Sequence, residues 1–213
     1  MSTPSTDAPT TTDGPERVEM WFDPSCPWTW LTSRWLVDVA EARGFDVGWH
    51  VMSLGILNEG QDVPEQYREA MGQAGRALRV LAAAGRREGA GAVGRLYTEL
   101  GTRAHDGGRG LTTDVLTESV AAAGLDVGLA DAQDDESLDA AVRESHQAGQ
   151  DAVGDSVGSP VVSVDGRAFF GPVMTPVARG QEGLDLFDGL RLLAGTSAFS
   201  ELKRARNGPP SLT

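Results

Sequence analysis

The sequence predicts an α/β protein, with helices on both faces of a mixed β-sheet and a block of helices inserted into the middle of the fold. Two observations lead to this prediction. Strand patterns occur near the start and in the last third of the 213 residues, whereas residues 53–149 show helical patterns alone. The first two strands are separated by a helix, and a strand–helix–strand unit pairs its strands in parallel.

The first predicted elements form this β-α-β unit. Val18–Phe22 is rich in β-branched and aromatic residues and is ended by Asp-Pro-Ser, so it is the first strand. Pro27 suits the first position of a helix, where its missing N–H needs no partner, and Gly44 suits a left-handed cap at the helix end. Residues 46–52 alternate in hydrophobicity, which predicts the second strand.

The middle block is expected to contain four helices, over residues 64–84, 91–100, 113–123 and 136–148. Thr113 and Ser137 are candidate starting residues for two of them. Their side-chain oxygens can accept hydrogen bonds from the unpaired amides of a first helical turn.

The last third returns to strands. Val161–Val164 and Arg167–Phe170 flank Asp165 and Gly166, and this pair suits a type I′ hairpin turn because both residues tolerate positive φ. A closing helix is predicted over residues 176–193. This order of elements is that of the thioredoxin fold with an inserted all-helical domain.

The predicted domain organisation follows from this order. Residues 17–53 and 151–206 form the thioredoxin-fold domain, and residues 54–150 form the inserted helical domain. We expect a disordered leader at 1–16, which is rich in Thr, Ser, Pro and Asp, and a flexible tail at 207–213.

Composition restricts the classes of function. The net charge of −13 (18 basic and 31 acidic residues) argues against a nucleic-acid partner, since phosphate binding depends on clustered Lys and Arg. No stretch approaches the roughly 20 apolar residues of a membrane span, and the start lacks the features of a secretory signal, so we expect a cytoplasmic protein. The one cysteine cannot form an intramolecular disulfide or a cysteine-rich zinc site. His105 and His146 have no ligands at metal-binding spacing, so no metal is expected.

The single cysteine, Cys26, lies between the first strand and the first helix. Free N–H groups and the helix dipole stabilise an anion there, so the sequence predicts a lowered thiol pKa and a reactive thiolate. Ser25 and Thr29 add hydroxyl donors, and Trp28 offers an apolar wall for a flat substrate. The alternative is that Cys26 is a small buried apolar residue.

A second candidate element is Ser159–Pro160, directly before the hairpin. In this fold a proline at that place is usually cis and faces the cysteine, and the residue before it offers its backbone to a bound thiol compound. The sequence alone shows only a proline that opens a strand.

Longer motifs resemble a known family. Residues 21–30 read Trp-Phe-Asp-Pro-Ser-Cys-Pro-Trp-Thr-Trp, and further similar segments lie at 32–35, 50–54, 64–69, 151–154, 169–172 and 201–204. Together they resemble the mycothiol-dependent nitroreductases, a family in the DsbA-like branch of the thioredoxin superfamily. The similarity covers nearly the whole chain beyond residue 16.

The resemblance implies reduction of nitroaromatic or related electrophiles by mycothiol, or another low-molecular-weight thiol, through a mixed disulfide on Cys26. The family pattern is Cys-Pro-Trp-Cys, and here Thr29 stands in place of the second cysteine. A second thiol molecule would then have to resolve the mixed disulfide. The alternatives are a thiol transferase or isomerase, like the kappa-class glutathione transferases and chromene-carboxylate isomerases, or a homologue without catalytic activity.

The expected site therefore has two catalytic residues, Cys26 and Thr29, and six residues that bind substrate or thiol: Pro27, Trp28, Ser159, Pro160, Trp21 and His50. For His50, a structural role with a hydrogen-bonded ring is an equal alternative. Asp23 can buffer proton transfer or simply shape the turn. The expected partners are a small thiol and an electrophile, without nucleic acid or membrane, and the sequence allows a homodimer.

Overall fold

A computed structural model describes residues 17–154 and 156–212 of the protein. The predicted leader at 1–16 lies outside the described residues. Within them, no helix is long and apolar enough to cross a membrane.

The sheet has four strands in the spatial order β2-β1-β3-β4. The strands are β1 (Val18–Phe22), β2 (Val47–Val51), β3 (Val161–Val164) and β4 (Arg167–Phe170). β1 pairs with β2 in parallel and with β3 antiparallel, and β3 pairs antiparallel with β4. The hairpin turn has φ of 51° at Asp165 and 80° at Gly166, the two positive values that a type I′ turn requires.

Seven α-helices occur in the described part of the chain: α1 (Pro27–Arg43), α2 (Leu54–Leu57), α3 (Glu65–Glu88), α4 (Ala90–Gly101), α5 (Thr113–Ala122), α6 (Asp139–Val153) and α7 (Gly180–Ala194). A π-helical turn, Thr102–Asp106, continues α4. Two 3-10 segments, Val127–Asp134 and Glu136–Leu138, precede α6.

Several helix starts differ from the sequence predictions. Thr112, rather than Thr113, caps α5, and its hydroxyl accepts a hydrogen bond from the Val115 amide at 3.3 Å. The Asp135 carboxylate accepts one from the Ser137 amide at 3.0 Å, which starts a 3-10 turn, so α6 begins only at Asp139. In both places the side chain that accepts a hydrogen bond from an unpaired backbone amide lies one or two residues before the predicted starting residue.

Helices cover both faces of the sheet. Met20 and Phe22 of β1 lie in the main core together with buried residues of α1 and α7. Trp21 points to the other face, towards α6. The indole presses against Gly149 of α6, where a Cβ atom would come within 2.8 Å of the ring. α6 runs on to Val153, past the predicted domain boundary at residue 150.

The helical block and the sheet share one hydrophobic core. Tyr97 of α4 stacks on Phe22 of β1 with ring centroids 3.9 Å apart. The rings of Trp30 and Trp49 contact the same tyrosine edge-on, with ring centroids 5.7 and 6.0 Å from that of Tyr97. α4 is therefore a packed layer directly over the strand that leads to Cys26.

Two glycines of α4 allow this close packing. A Cβ atom at Gly94 would lie 2.5 Å from the Trp49 indole, and one at Gly101 would lie 2.2 Å from the Trp30 indole. Such distances are far inside van der Waals contact, so the two rings need a helix backbone without side chains at these positions.

The segment after α7 folds back onto the body of the protein. Phe199 contacts Phe169 of β4 with ring centroids 5.7 Å apart. Further along, Leu212 is half-buried against the main core. The sequence predicts a flexible tail at 207–213; Thr213 lies outside the described residues, and Leu212 has this packing contact.

Candidate active site

Cys26 occupies the N-cap position of α1, between the end of β1 and the proline that starts the helix. Its φ and ψ of −83° and 113° are extended, as for an ordinary N-cap residue. The side chain is only 7% exposed. Its side chain makes no capping hydrogen bond to the helix, and the amides of Trp28 and Thr29 act on the sulfur by lowering the thiol pKa.

The loop before Cys26 is organised around the fully buried carboxylate of Asp23. One oxygen accepts hydrogen bonds from the amide and hydroxyl of Ser25, at 2.8 and 2.6 Å. The other accepts one from the Leu54 amide at 2.7 Å. Asp23 therefore ties the loop to the start of α2, and the residue does more than shape the turn.

The Ser159–Pro160 peptide bond is cis and lies beside Cys26. The Cys26 thiol donates to the Ser159 carbonyl oxygen with Sγ and O 3.7 Å apart. The Ser159 hydroxyl accepts from the Asp23 amide at 2.9 Å and shares a 2.8 Å hydrogen bond with the Thr29 hydroxyl. The structure thus brings together Cys26, Thr29 and Ser159, three of the residues that the sequence singles out.

The predicted lowering of the thiol pKa is wrong in this structure. Burial raises the pKa of Cys26, and the nearby Asp23 carboxylate raises it further. Hydrogen bonds from the Thr29 hydroxyl and from the amides of Thr29 and Trp28 act in the opposite direction but do not offset burial. The thiol is therefore protonated at neutral pH.

Asp23 is itself affected by its surroundings. Burial raises the pKa of the Asp23 carboxyl, whereas its hydrogen bonds to Ser25 and Leu54 lower it. Since its negative charge raises the pKa of Cys26, removing that charge should lower the thiol pKa.

We expect Asp23→Asn to shift the pH profile of Cys26 alkylation to lower pH and to raise the rate at pH 8 by about threefold. Asparagine keeps one acceptor oxygen but cannot accept from both Ser25 and Leu54, so the free energy of unfolding should fall by about 1–2 kcal/mol. Iodoacetamide kinetics from pH 6 to 10 measure the profile. Asp46→Asn, at an exposed position before β2, is the control. A profile unchanged or moved to higher pH would show that Asp23 does not act on Cys26 through its charge.

The proposed binding residues next to Cys26 differ in their surroundings. Pro27 is the first residue of α1, where no N–H is needed. Trp28 is half-buried, and the Arg206 guanidinium lies over its ring with Cζ 4.6 Å from the centroid. One face of the predicted apolar wall is therefore covered by a cation.

Trp21 and His50 lie on a different face of the sheet from the helix that carries Cys26. They are directly paired in the β1–β2 register and stack on each other at 4.7 Å, on the α6 side. His50 also lies 3.3 Å from the Glu19 carboxylate. The expectation that these two residues bind substrate beside Cys26 does not fit this position, and a structural role does. Trp49, the neighbour of His50, is the residue that faces the helical block.

The π-helical turn after α4 contacts the active-site loop in a way the sequence does not reveal. His105 donates a hydrogen bond from Nε2 to the Pro24 carbonyl oxygen at 2.9 Å. Asp106 accepts one from the Trp30 indole at 2.8 Å. Burial lowers the pKa of His105, so the neutral ring makes this contact. π-helical turns are rare and often lie at functional sites, and this one joins the helical block to the loop that precedes Cys26.

No group of three or more His, Cys, Asp or Glu residues within 17–154 and 156–212 is arranged to hold a metal ion. His146 instead accepts a hydrogen bond from the Ser53 amide through Nδ1, at 3.3 Å. Burial and the nearby Arg143 lower the pKa of His146, which favours the neutral ring that can accept.

Two sequence comparisons identify relatives. A family model described as "Rv2466c-like: Mycothiol-dependent nitroreductase Rv2466c" matches residues 25–204. The uncharacterized protein Rv2286c of Mycobacterium tuberculosis is 30% identical over 194 residues, which is 89% of this chain and 82% of that protein.

Solved structures with the same fold include the cytosolic disulfide reductase DsbM of Pseudomonas aeruginosa with GSH. It is 21% identical, has a TM-score of 0.53, and the match covers 83% of this chain and 99% of DsbM. A 2-hydroxychromene-2-carboxylate isomerase is 13% identical, with a TM-score of 0.58 and coverage of 82% of this chain and 93% of the isomerase. The prediction of a DsbA-like thioredoxin fold is confirmed by such neighbours.

Proposed function

We propose, because this chain belongs to the Rv2466c-like family of mycothiol-dependent nitroreductases, that it reduces nitroaromatic or related electrophiles with mycothiol through a single thiol, that of Cys26. The observation that supports this most directly is the placement of Cys26 at the start of α1, opposite the cis Ser159–Pro160 bond. As the only cysteine of the chain, it is the only protein thiol available for a mixed disulfide.

The raised pKa gives Cys26 a specific part in the reaction. A protonated Cys26 carries one of the two protons that a nitro oxygen needs to leave as water, and the thiol of mycothiol carries the other. Cys26 and one mycothiol together give two electrons and two protons to a nitro group. The products are a nitroso compound, one water molecule and a mixed disulfide between Cys26 and mycothiol.

The second half of the cycle restores the thiol. A second mycothiol thiolate attacks the mixed disulfide at the mycothiol sulfur, forms mycothiol disulfide and releases the Cys26 thiolate, which then takes up a proton. Thr29 stands where a resolving cysteine would be, and its hydroxyl lowers the thiol pKa. We assign Thr29 the role of stabilising the leaving Cys26 thiolate by a hydrogen bond.

Ser159 supports this role of Thr29. Its hydroxyl oxygen is held by the Asp23 amide, so its own proton is free to be donated to the Thr29 oxygen. Thr29 can then direct its proton at the sulfur. Such a chain of donors strengthens the last hydrogen bond when the sulfur becomes negative.

The substrates of this proposal are a small-molecule thiol and an electrophile. The binding residues are Pro27, Trp28, Ser159 and Pro160. Mixed-disulfide turnover needs a thiol pool, so the proposal includes a cytoplasmic location, where thiols are kept reduced.

Incubation with oxidised mycothiol and intact-mass measurement tests the proposal. The expected result is the gain of one mycothiol moiety per chain, removed by a reductant and absent in Cys26→Ser. If the mass does not change under conditions in which Cys26 is alkylated by iodoacetamide, the thiol is accessible but does not exchange with mycothiol. That result would reject the proposed function and favour a homologue without redox activity.

A further inference from the structure

The guanidinium of Arg206 contacts the first turn of α1, the helix that begins at the active-site cysteine. It lies over the ring of Trp28, two residues from Cys26. Among residues 17–154 and 156–212, no carboxylate forms an ion pair with it and no hydrogen bond satisfies its five donors.

The backbone explains why Arg206 remains at this place. The segment that carries it is anchored on one side by Phe199, which packs on Phe169, and on the other by Leu212, which packs against the core. The span between the anchors is exposed and basic, with Lys203, Arg204 and Arg206 against one acid, Glu201. Between the two anchors, Arg206 reaches the ring of Trp28.

The chemistry of the pair points to an anionic group attached to a flat molecule. The N–H donors of a guanidinium lie in the plane of the group, so they stay free when its face lies over an indole ring. Two of them can then bind the two oxygens of a carboxylate. Stacking also restricts the long arginine side chain, so less side-chain entropy is lost when an anion binds.

We propose that Arg206, held against Trp28, is a specificity-determining residue that binds a carboxylate of the electrophilic substrate next to the Cys26 thiol. The preferred substrates are then aromatic electrophiles that carry a carboxylate. This inference rests on the proposed function for the identity of the reaction. The recognition step itself can be tested without any turnover of mycothiol.

The test uses two alkylating agents of nearly the same size, iodoacetate and iodoacetamide, of which only the first carries a carboxylate. Cys26 is the one cysteine of the chain, so we expect both reagents to alkylate it in the folded protein. The measured quantity is the ratio of the iodoacetate rate constant to the iodoacetamide rate constant at pH 8. Taking the ratio cancels any change in the thiol pKa, because both reagents react with the same thiolate.

We expect Arg206→Gln to lower this ratio by about fivefold, the size of effect that one partly exposed charge pair can give. Arg204→Gln removes the same charge two residues away and should change the ratio by less than about twofold. High salt should reduce the ratio of the unmodified protein towards that of Arg206→Gln.

Equal effects of the two variants would overturn the proposal, because the total positive charge of the segment, and not Arg206 in particular, would then set the ratio. No effect of Arg206→Gln would also overturn it. A rise in both rate constants with an unchanged ratio would also overturn it and would show that Arg206 merely covers the site. Failure of the proposed function would be seen in a different experiment, the intact-mass measurement. Cys26 would then react with iodoacetamide but gain no mycothiol.

Discussion

Replacing Cys26 with serine should abolish thiol-dependent nitro reduction, with a loss of about a thousandfold or more. A serine hydroxyl cannot form a mixed disulfide, and its pKa is far above that of a thiol. The remaining machinery, including the Thr29–Ser159 hydroxyl pair, would still be present. The initial rate of nitroaromatic consumption with mycothiol in excess measures the loss.

The substitution should leave the fold intact. Serine differs from cysteine only in having a smaller oxygen atom in place of the sulfur. Its hydroxyl can donate to the Ser159 carbonyl oxygen, which lies 3.7 Å from the Cys26 sulfur. Thermal unfolding and far-UV circular dichroism of Cys26→Ser provide the control. A variant that folds and keeps more than a tenth of the rate would support a transferase or isomerase in which a hydroxyl activates the bound thiol compound.

Replacing Gly101 with alanine should be the most destabilising single-methyl change in the helical block. The new Cβ would lie 2.2, 2.3 and 2.8 Å from three ring atoms of Trp30, which is 1% exposed and surrounded by the core. The ring is also fixed by its hydrogen bond to Asp106 and by Arg34 over its face at 4.1 Å. We therefore expect the free energy of unfolding to fall by about 3 kcal/mol.

Gly75→Ala is the matched control for this prediction. Gly75 lies within α3, and a Cβ atom there would meet nothing within 4 Å. Its replacement should leave the protein equally stable or up to about 1 kcal/mol more stable, because alanine favours a helix. Urea unfolding of both variants measures the difference. Equal stability of the two variants would mean that the Trp30 ring moves aside freely and does not brace α1 against α4.

Much of the fold could be predicted from local patterns. Val18–Phe22, the Pro27 start of α1, its Gly44 cap and the Asp165–Gly166 hairpin are determined by neighbouring residues, and the structure has them where the sequence places them. The π-helical turn Thr102–Asp106 could not be predicted in the same way. It depends on contacts of His105 with Pro24 and of Asp106 with Trp30, both more than 70 residues away in sequence.

The candidate site also combines features that neighbouring residues determine with features that depend on distant parts of the chain. The position of Cys26 before Pro27 predicts its place at the helix start, and the fold brings Ser159 to it. The direction of its pKa could not be predicted, because burial by the surrounding chain outweighs the local hydrogen bonds. His50 does not lie beside Cys26, because alternate residues of a strand face opposite ways and Trp49 is the residue on the side of the helical block.

The measurement that tests the single-thiol mechanism most directly is the fate of the mixed disulfide on Cys26, followed by intact mass after free thiol has been removed. The adduct of the unmodified protein should persist, and added mycothiol should discharge it at a rate proportional to its concentration. In Thr29→Cys the introduced thiol should discharge the adduct without any added mycothiol. An adduct that the unmodified protein loses equally fast with and without mycothiol would contradict the need for a second thiol molecule.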